Sequence, residues 1–318
     1  MEKKLIAIDL DGTTLNNNSE LTQETIDTLH AVKNLGHEVA IVTGRPYRNS
    51  KQYYDQLNLG GPIANFNGAL CHIPGMPEWD GKYHITLDSE FVLDLVAFNK
   101  TLPVDYLMVE GTELVYSNME ELPECPYYPK DQKPIVIGKN TKLKEQPTAV
   151  ALFSDVDKQP EIKSKILDRY DNDIEIRTWG GSFPCLEVIS PGVHKAKAIE
   201  HLSRYFGIKQ ENILAFGDED NDLEMIEYAG HGVAMKNGID ELKNIANAIT
   251  PFTNDENGLA KYLQDYFQIQ DVRHRAQKWN VGLERRKERE TFCGRLRKRT
   301  PFLRFRTQLQ GRRIRKKR

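Results

Sequence analysis

Short apolar runs alternate with amphipathic segments at the start of this chain. Residues 5–8 and 39–42 are continuously apolar, and residues 63–66 are a third predicted strand. Residues 21–35 carry apolar side chains at helical spacing and are followed by Gly36, a common helix stop. Apolar strands separated by helices are typical of a parallel sheet covered by helices on both faces. The pattern therefore predicts an α/β fold.

The pattern changes at about residue 84 and changes back at about residue 186. Between these positions the strands predicted at 106–109, 114–116, 148–153 and 174–178 mix with helices at 89–99 and 159–170. The regular alternation then resumes over 195–206, 213–217, 223–228, 232–235, 238–245, 248–250 and 259–267. We therefore predict a discontinuous core, residues 1–83 and 186–270, with a separate α+β domain inserted at 84–185.

The charge of the chain is divided unevenly. The formal net charge is −2, but residues 271–318 contain 19 Lys and Arg against 4 Asp and Glu, a net +15. Residues 1–270 contain 25 Lys and Arg against 42 Asp and Glu, a net −17. An acidic body argues against a general nucleic-acid-binding surface there, because binding along a phosphate backbone requires clustered Lys and Arg.

Four cysteines are spread along the chain without metal-ligand or redox spacing; they are Cys71, Cys125, Cys185 and Cys293. This spacing predicts reduced thiols and no zinc site, as in a cytoplasmic protein. The four apolar residues before Asp9 are too few for a signal-peptide core, and no apolar stretch is long enough to span a bilayer. We therefore expect no membrane association.

Polar and acidic residues follow four of the predicted core strands. They are Asp9 and Asp11, Thr43 and Gly44, Asn67 and Gly68, and Asp218, Asn221 and Asp222. In open α/β sheets, ligands bind beyond the carboxyl ends of the strands. Each group by itself is also explained as a turn or a helix cap, because Asp, Asn, Thr and Gly favour both. Four such groups at one sheet edge favour a shared ligand.

The acidic residues among these side chains call for a cation. Carboxylates gathered in one pocket repel one another and raise one another's pKa unless positive charge is present. Magnesium (Mg2+) is a hard ion that takes one or two carboxylates, water and phosphate oxygens. We expect Asp9, Asp11, Asp218 and Asp222 to surround it, with a backbone oxygen of Leu10 or Asp11 nearby. The pattern thus predicts phosphoryl transfer with Mg2+ as cofactor.

The first two acidic residues are predicted to have different roles. A carboxylate whose charge is offset by a cation can attack a phosphoryl group and form an aspartyl-phosphate. We predict that Asp9 is this nucleophile. Asp11 would protonate the leaving alkoxide and later accept a proton from the hydrolytic water. Gly12 permits the tight turn that separates the two groups.

The transferred phosphoryl group also needs hydrogen-bond donors around its oxygens. The Thr43 hydroxyl, the Leu10 and Gly44 amides and a lysine are the natural suppliers. Lys195, at the start of a predicted helix, is the first candidate for that lysine, and Lys197 is the second. An ordinary solvated helix lysine is the alternative for each of them.

Five short motifs occur in order along the chain: Asp9-Leu10-Asp11-Gly12-Thr13, Thr43-Gly44-Arg45-Pro46, Asn67-Gly68-Ala69, Val193-His194-Lys195 and Gly217-Asp218-Glu219-Asp220-Asn221-Asp222. In order and spacing they resemble the haloacid dehalogenase superfamily of phosphohydrolases, subclass IIB, the Cof-type (YidA-like) group. Further matches lie at 225–230, 232–235 and 255–258. The resemblance extends from about residue 3 to residue 267.

The resemblance implies a Rossmann-like core with an inserted C2-type cap. It also implies a set of roles: Asp9 as nucleophile, Asp11 as general acid/base, Thr43 and Lys195 as phosphate binders, Asp218 as a magnesium ligand and Asn221 near the phosphate. A carboxylate at position 11 makes the chain similar to the phosphatases of the family, in which water completes the reaction. The expected substrate is a small phosphorylated metabolite such as a sugar phosphate.

Two positions depart from the family pattern. Ala196 stands where glycine is usual, and Asn237-Gly238 stands where a small pair ending in alanine is common. Neither removes a reacting group, so we expect them to affect loop packing. Residues 179–186 are expected to face the pocket and help to select the leaving group, although Trp179 and Phe183 also fit as packing aromatics.

The tail at 271–318 matches nothing in that family. Its Arg-rich runs are interleaved with aromatic residues, a composition that can bind RNA or single-stranded nucleic acid. A disordered extension is the favoured interpretation, because high charge with few aliphatic residues buries too little surface to fold. An RNA-binding or anion-binding role through the tail is thus one alternative to hydrolysis. Phosphoryl transfer to another hydroxyl, as in a phosphomutase, is a second.

Overall fold

The computed structural model describes residues 2–123, 133–138, 141–170, 173–179 and 183–269. The predictions made for the tail at 271–318 and for Cys125 lie outside these residues. No helix in the described part of the chain is long and apolar enough to cross a bilayer. The two described cysteines, Cys71 and Cys185, form no disulfide bond with each other.

Strands and helices are numbered in chain order. The strands are β1 (Leu5–Ile8), β2 (Glu38–Val42), β3 (Ile63–Asn65), β4 (Leu70–His72), β5 (Tyr83–His84), β6 (Tyr106–Glu110), β7 (Val115–Ser117), β8 (Ile135–Val136), β9 (Ala149–Phe153), β10 (Glu175–Trp179), β11 (Cys185–Ile189), β12 (Ile213–Gly217), β13 (His231–Ala234) and β14 (Ala248–Ile249). The helices are α1 (Gln23–Asn34), α2 (Tyr47–Leu57), α3 (Ser89–Phe98), α4 (Gln159–Tyr170), α5 (Lys195–Phe206), α6 (Leu223–Tyr228), α7 (Asp240–Ile245) and α8 (Gly258–Tyr266).

The first sheet has eight strands in the order β14-β13-β12-β1-β2-β3-β4-β5. The strands from β14 to β3 are parallel, and β4 and β5 extend one edge in antiparallel fashion. The chain moves outwards from β1 to β2 and later returns to the other side of β1 as β12. The strand order therefore reverses between β1 and β12, which makes the carboxyl ends of these two strands the expected ligand site.

Helices cover both faces of this sheet, as the sequence predicts. Alternate residues of β1 point to opposite faces: Ile6 and Ile8 belong to one buried cluster, and Leu5 and Ala7 belong to another. The first cluster includes buried residues of α1 and α8, and the second includes buried residues of α5, α6 and α7. The α/β prediction is confirmed.

The second sheet has six strands in the order β10-β11-β9-β6-β7-β8. Its pairs are antiparallel apart from β7 and β8. Helices α3 and α4 pack on one face through a buried apolar cluster. The sequence analysis placed residues 186–189 in the core. In the structure they belong to β11 of the second sheet, because they continue its pairing with β9 and β10.

The opposite face of the second sheet contacts the first sheet and its helices. At one end, Arg48 of α2 forms an ion pair with Glu110 and donates to the carbonyl of Gly111 (3.1 Å). At the other end, Arg177 Nη2 donates to the carbonyl of Val193 (2.7 Å). These two contacts show which face of the second sheet is turned towards the strand ends that carry the motifs.

Several elements were not predicted from the sequence. Helix α2 (Tyr47–Leu57) buries Ser50, Tyr53 and Leu57 at helical spacing, but only one of these is aliphatic, so few apolar residues mark the helix. Strands β4, β5 and β8 have only two or three residues each, and β11 lies across the predicted domain boundary at 185/186, where no strand was predicted. By contrast, α4, α6 and β12 begin and end at the predicted residues, and β12 is a continuous run of buried residues.

Candidate active site

The nucleophile predicted from the first motif follows directly after β1. The Asp9 amide donates to the carbonyl of Phe216 in β12 (3.1 Å), which continues the parallel pairing one residue past β1. The chain then makes a tight turn, Leu10–Thr14, closed by a hydrogen bond from Leu15 N to Leu10 O (2.8 Å). Asp9 is thereby held in a buried position at the switch point of the sheet.

The turn after Asp9 packs against the end of β12. Gly12 has φ +67°, a left-handed conformation that favours glycine, and a Cβ at this position would overlap the Asp218 carboxylate. The hydroxyl of Thr13 donates to Asp218 Oδ1 (2.8 Å). Both residues of the turn therefore contact the same carboxylate, which brings the first and last motifs together.

The last motif folds back on itself so that a second carboxylate becomes buried. Asp222 Oδ2 accepts hydrogen bonds from the amides of Asp218 (3.0 Å) and Glu219 (3.2 Å). These bonds leave Asp222 Oδ1 to interact with another group. That group is the ammonium of Lys195, at 2.6 Å.

Lys195 connects the two ends of the site. Its Nζ donates to Asp9 Oδ1 and to Asp222 Oδ1, both at 2.6 Å, and the residue is fully buried. Lys195 is the first residue of α5, which His194 caps by accepting a hydrogen bond from the Lys197 amide at Nδ1 (3.3 Å). The structure thus places the first lysine candidate, Lys195, among the carboxylates.

Negative charge exceeds positive charge at this centre. Asp9, Asp218 and Asp222 offer carboxylate oxygens within 4.8 Å of one another, and all three residues are buried. Burial raises the pKa of Asp9 well above its usual value; the charge of Lys195 opposes this rise, and the other carboxylates add to it. Burial, followed by the charge of Asp222, raises the pKa of Asp218 to about 7.

The lysine responds to the same charges. Burial by itself would lower the pKa of Lys195, but the charges of Asp222 and Asp9 outweigh that effect and raise it above its usual value. The ammonium therefore remains protonated and offsets one of the negative charges. The remaining excess and the all-oxygen donor set fit a hard divalent cation, so Asp9, Asp218 and Asp222 could hold a metal ion.

Asp11 lies outside this group of carboxylates, although the sequence analysis placed it there. Arg45 takes both oxygens of its side chain, with Nε to Oδ2 at 2.7 Å and Nη2 to Oδ1 at 2.5 Å. The backbone at Asp11 is extended within the turn, and 49% of its side chain is exposed. The Asp11 carboxylate is thus ion-paired with a guanidinium and does not join the buried cluster.

The predicted phosphate-binding groups lie along one side of the site. Asn221 Nδ2 donates to Asn67 Oδ1 (2.9 Å), so the third and fifth motifs are in contact. A Cβ at Gly44 would lie 3.1 Å from Asn67 Oδ1 and 3.4 Å from Asn221 Nδ2. The hydroxyl of Thr43, which is buried, accepts from the Arg45 amide (3.2 Å). The phosphate-binding roles of Thr43, Gly44 and Asn221, and that of the Leu10 amide, stay predictions.

Sequence reasoning missed the roles of three residues. Thr13 supports Asp218, Arg45 pairs with Asp11, and Asn237 donates to the carbonyl of Gly12 (2.8 Å). Thr13 and Arg45 lie inside motifs that had been identified, so their position was a usable signal. Asn237 was noted as a departure from the family pattern, but its partner is 225 residues away and no local pattern indicates it.

The family model for haloacid dehalogenase-like hydrolases matches residues 6–263. The chain therefore belongs to this family. The resemblance to its Cof-type members, inferred from the five motifs, is confirmed.

The similar proteins are phosphatases and hydrolases. The 5-amino-6-(5-phospho-D-ribitylamino)uracil phosphatase YitU of Bacillus subtilis (strain 168) is 40% identical over 272 residues, which cover 85% of this chain and 100% of that protein. The putative phosphatase YxeH of the same organism is 32% identical over 273 residues, which cover 82% of this chain and 97% of that protein. A solved haloacid dehalogenase-like hydrolase from Bacteroides thetaiotaomicron superposes with a TM-score of 0.70 and 25% identity, covering 83% of this chain and 100% of its own. The predicted enzyme class, phosphoric monoester hydrolase, is confirmed.

Replacing Gly12 by alanine tests the contact between the turn and Asp218. We expect Gly12→Ala to lose most phosphatase activity, because the new methyl group displaces the carboxylate that it would overlap. Gly207→Ala is the matched control: its φ of +64° imposes similar backbone strain, about 1–2 kcal/mol, but no atom lies within 4 Å of the added Cβ. Thermal unfolding and activity assays of both variants check this. Equal loss of activity in the two would contradict the role of the Asp218 contact.

The raised pKa of Asp218 predicts how stability depends on pH in metal-free protein. The folded state keeps a proton on Asp218 up to about pH 7, whereas the unfolded chain releases it near the ordinary value of 3.8. The folded state therefore binds more protons in this window, and the free energy of unfolding should fall as pH rises through it. Thermal unfolding in EDTA should show a smaller fall for Asp218→Asn. The exposed Asp220→Asn should keep the original slope, and identical slopes for all three proteins would refute the assignment.

Proposed function

We propose that this protein is a cytoplasmic, Mg2+-dependent phosphatase that hydrolyses small phosphomonoesters through an aspartyl-phosphate on Asp9. The observation that carries the proposal is the buried ammonium of Lys195, which contacts both Asp9 and Asp222 at 2.6 Å. This arrangement holds a carboxylate in place without exposing it to water. Phosphoryl transfer requires such a positioned nucleophile together with positive charge that offsets the surrounding carboxylates.

In the first step, an Asp9 carboxylate oxygen forms a bond to phosphorus, and the bond from phosphorus to the leaving oxygen breaks. Lys195 orients the attacking carboxylate through Oδ1. Bound Mg2+ would supply the positive charge that lets the phosphate dianion approach three carboxylates. Asp9, Asp218 and Asp222 are the side chains that would hold it.

Asp11 is the proposed general acid and base. After exchanging its ion pair with Arg45 for a proton from solvent, Asp11 would give that proton to the leaving oxygen in the first step. In the second step it would take a proton from the water that attacks phosphorus while the bond from phosphorus to Asp9 breaks, which restores both Asp9 and Asp11. Its ion pair with Arg45 places this carboxyl at the open side of the site, where 49% of it is exposed. A leaving group that enters from that side would meet Asp11 before it meets the buried cluster.

The second sheet supplies groups suited to recognising the leaving group. Arg177 and Glu187 face each other across β10 and β11, on the face from which Arg177 donates to the carbonyl of Val193 in the loop before α5. Trp179 Nε1 donates to Glu187 Oε2 (3.1 Å). Burial raises the pKa of Glu187 to about 7, against the opposing charge of Arg177, so near neutral pH this carboxyl both donates and accepts hydrogen bonds.

These groups favour a polar leaving group with an aromatic part. YitU, which is 40% identical, is named for 5-amino-6-(5-phospho-D-ribitylamino)uracil, a phosphorylated polyol attached to a heteroaromatic ring. We propose a substrate of this class for the present chain. The indole of Trp179 offers a surface for the ring, and Arg177 and Glu187 offer partners for its polar edge.

Replacing the nucleophile tests the central step. With p-nitrophenyl phosphate and Mg2+, Asp9→Asn should lower kcat by about 10³-fold or more, because an amide cannot form the phosphoenzyme. Asp220→Asn, an exposed change in the fifth motif, is the control and should retain activity. Omission of Mg2+ should abolish turnover by the unchanged enzyme. Substantial hydrolysis by Asp9→Asn would reject the proposed nucleophile, and transfer of phosphate to an added sugar in place of water would indicate a mutase.

Replacing Glu187 tests leaving-group recognition. Glu187→Ala should raise KM for 5-amino-6-(5-phospho-D-ribitylamino)uracil by roughly tenfold, the effect of losing a hydrogen bond to a charged group. The values for p-nitrophenyl phosphate should change little, because its leaving group is too short to use that partner. Glu161→Ala, on the exposed side of α4, is the matched control. An equal change in KM for both substrates would argue against a recognition role.

A further inference from the structure

An asparagine side chain connects the turn after Asp9 to a second loop at the same sheet edge. Asn237, in the loop after β13, donates from Nδ2 to the carbonyl of Gly12 (2.8 Å). Its Oδ1 accepts a hydrogen bond from the Asn254 amide (2.9 Å). A single planar amide group therefore joins the catalytic turn to the loop that precedes α8.

Asn254 closes this connection into a ring. Its side-chain Nδ2 donates to the carbonyl of Leu15 (2.9 Å), and the residue is buried. The carbonyls of Gly12 and Leu15 lie on either side of Thr13 and Thr14. The two asparagines, Asn237 and Asn254, thus hold the turn at both of its ends, and we call this pair the asparagine brace.

The loop that carries Asn237 is itself attached to the metal-site strand. The Ile239 amide donates to the carbonyl of Asp218 (2.9 Å). A Cβ at Gly238 would lie 3.0 Å from that carbonyl, so the loop packs closely on the backbone of Asp218. These backbone contacts therefore fix the position of Asn237 relative to Asp218, in addition to the side-chain bond from Asn237 to Gly12.

The turn held by the brace determines the surroundings of the Asp218 carboxylate. Thr13 donates to Oδ1, and Gly12 lies so close to this side chain that a methyl group would overlap it. A small displacement of Gly12 would therefore break the Thr13 bond or open space in which the carboxylate can rotate. Groups that orient a metal ligand in this way commonly change metal affinity when they are removed.

We propose that Asn237 is a positioning residue for the metal site: through Gly12 and Thr13 it orients the Asp218 carboxylate and so sets the affinity for Mg2+. The inference rests on the proposed function, because it takes Asp218 as a metal ligand. Asparagine suits this position because one side chain must donate to Gly12 and accept from Asn254. Leucine has nearly the same shape and can do neither.

The test compares Asn237→Leu and Asn237→Ala with the full-length protein. The control is Asn244→Ala, an exposed asparagine in α7, the helix that follows the same loop. Isothermal titration with MgCl2, in the absence of substrate, measures the dissociation constant directly. Thermal unfolding in EDTA measures whether the variants remain folded.

We expect both Asn237 variants to bind Mg2+ about tenfold more weakly, whereas Asn244→Ala binds as the unchanged protein does. The kcat at saturating Mg2+ should recover most of its value, because Asn237 contacts no reacting group. The metal-free unfolding temperature should change little, since the residue is exposed. A purely structural hydrogen bond would instead lower the unfolding temperature without altering the dissociation constant.

Asn254→Ala tests the same inference at the other residue of the asparagine brace. It removes the other end of the brace, so it should also weaken Mg2+ binding, and the double variant should be less than additive. Unchanged Mg2+ affinity in both Asn237 variants would overturn the inference while leaving the proposed function intact. Absence of Mg2+ binding by the unchanged protein would overturn the metal site itself and this inference with it.

Discussion

The ion pairs of Lys195 are the interaction on which the rest of the site depends. Three carboxylates are buried within 4.8 Å of one another, an arrangement that burial and mutual repulsion both disfavour. One buried ammonium, placed between Asp9 and Asp222 at 2.6 Å from each, offsets part of this charge. The remainder leaves a centre that favours a divalent cation and a phosphate together. The same excess charge that disfavours the folded protein is thus what a bound divalent cation would offset.

The topology of the first sheet explains why these groups meet. Asp9 follows β1 and Asp218 follows β12, and the two strands are parallel neighbours although more than 200 residues separate them. The close approach of Gly12 to Asp218 then removes any space for a side chain at that point. The second sheet contacts α2 through Arg48 and the loop before α5 through Arg177, so the face that carries Arg177 and Glu187 is turned towards the core. The proposed catalytic groups and the proposed leaving-group contacts would thus come from different sheets.

Much of the fold and part of the site could be predicted from the sequence. Strand β12 and helix α4 were predicted to the residue, whereas helix α2, whose buried face is formed by Ser50, Tyr53 and Leu57, has few aliphatic residues and was not predicted. Lys195, preferred to Lys197 as the phosphate-binding lysine because it begins the predicted helix, lies among the carboxylates, and its phosphate-binding role stays a prediction. Asp11 was placed with the other carboxylates because spacing along a strand indicates which residues are near, but it cannot show that Arg45 takes both oxygens of this one.

The sequence by itself determined the family, the enzyme class and the order of the motifs, because these depend on residue types and on local spacing. Only the tertiary structure decided which carboxylates share a buried centre and how the turn at Gly12 is supported. Those features depend on contacts such as Asn237 to Gly12 and Lys195 to Asp9, whose partners lie about 200 residues apart. The free energy of such contacts comes from burial and geometry that exist only after the strands have paired, so no local pattern can contain them.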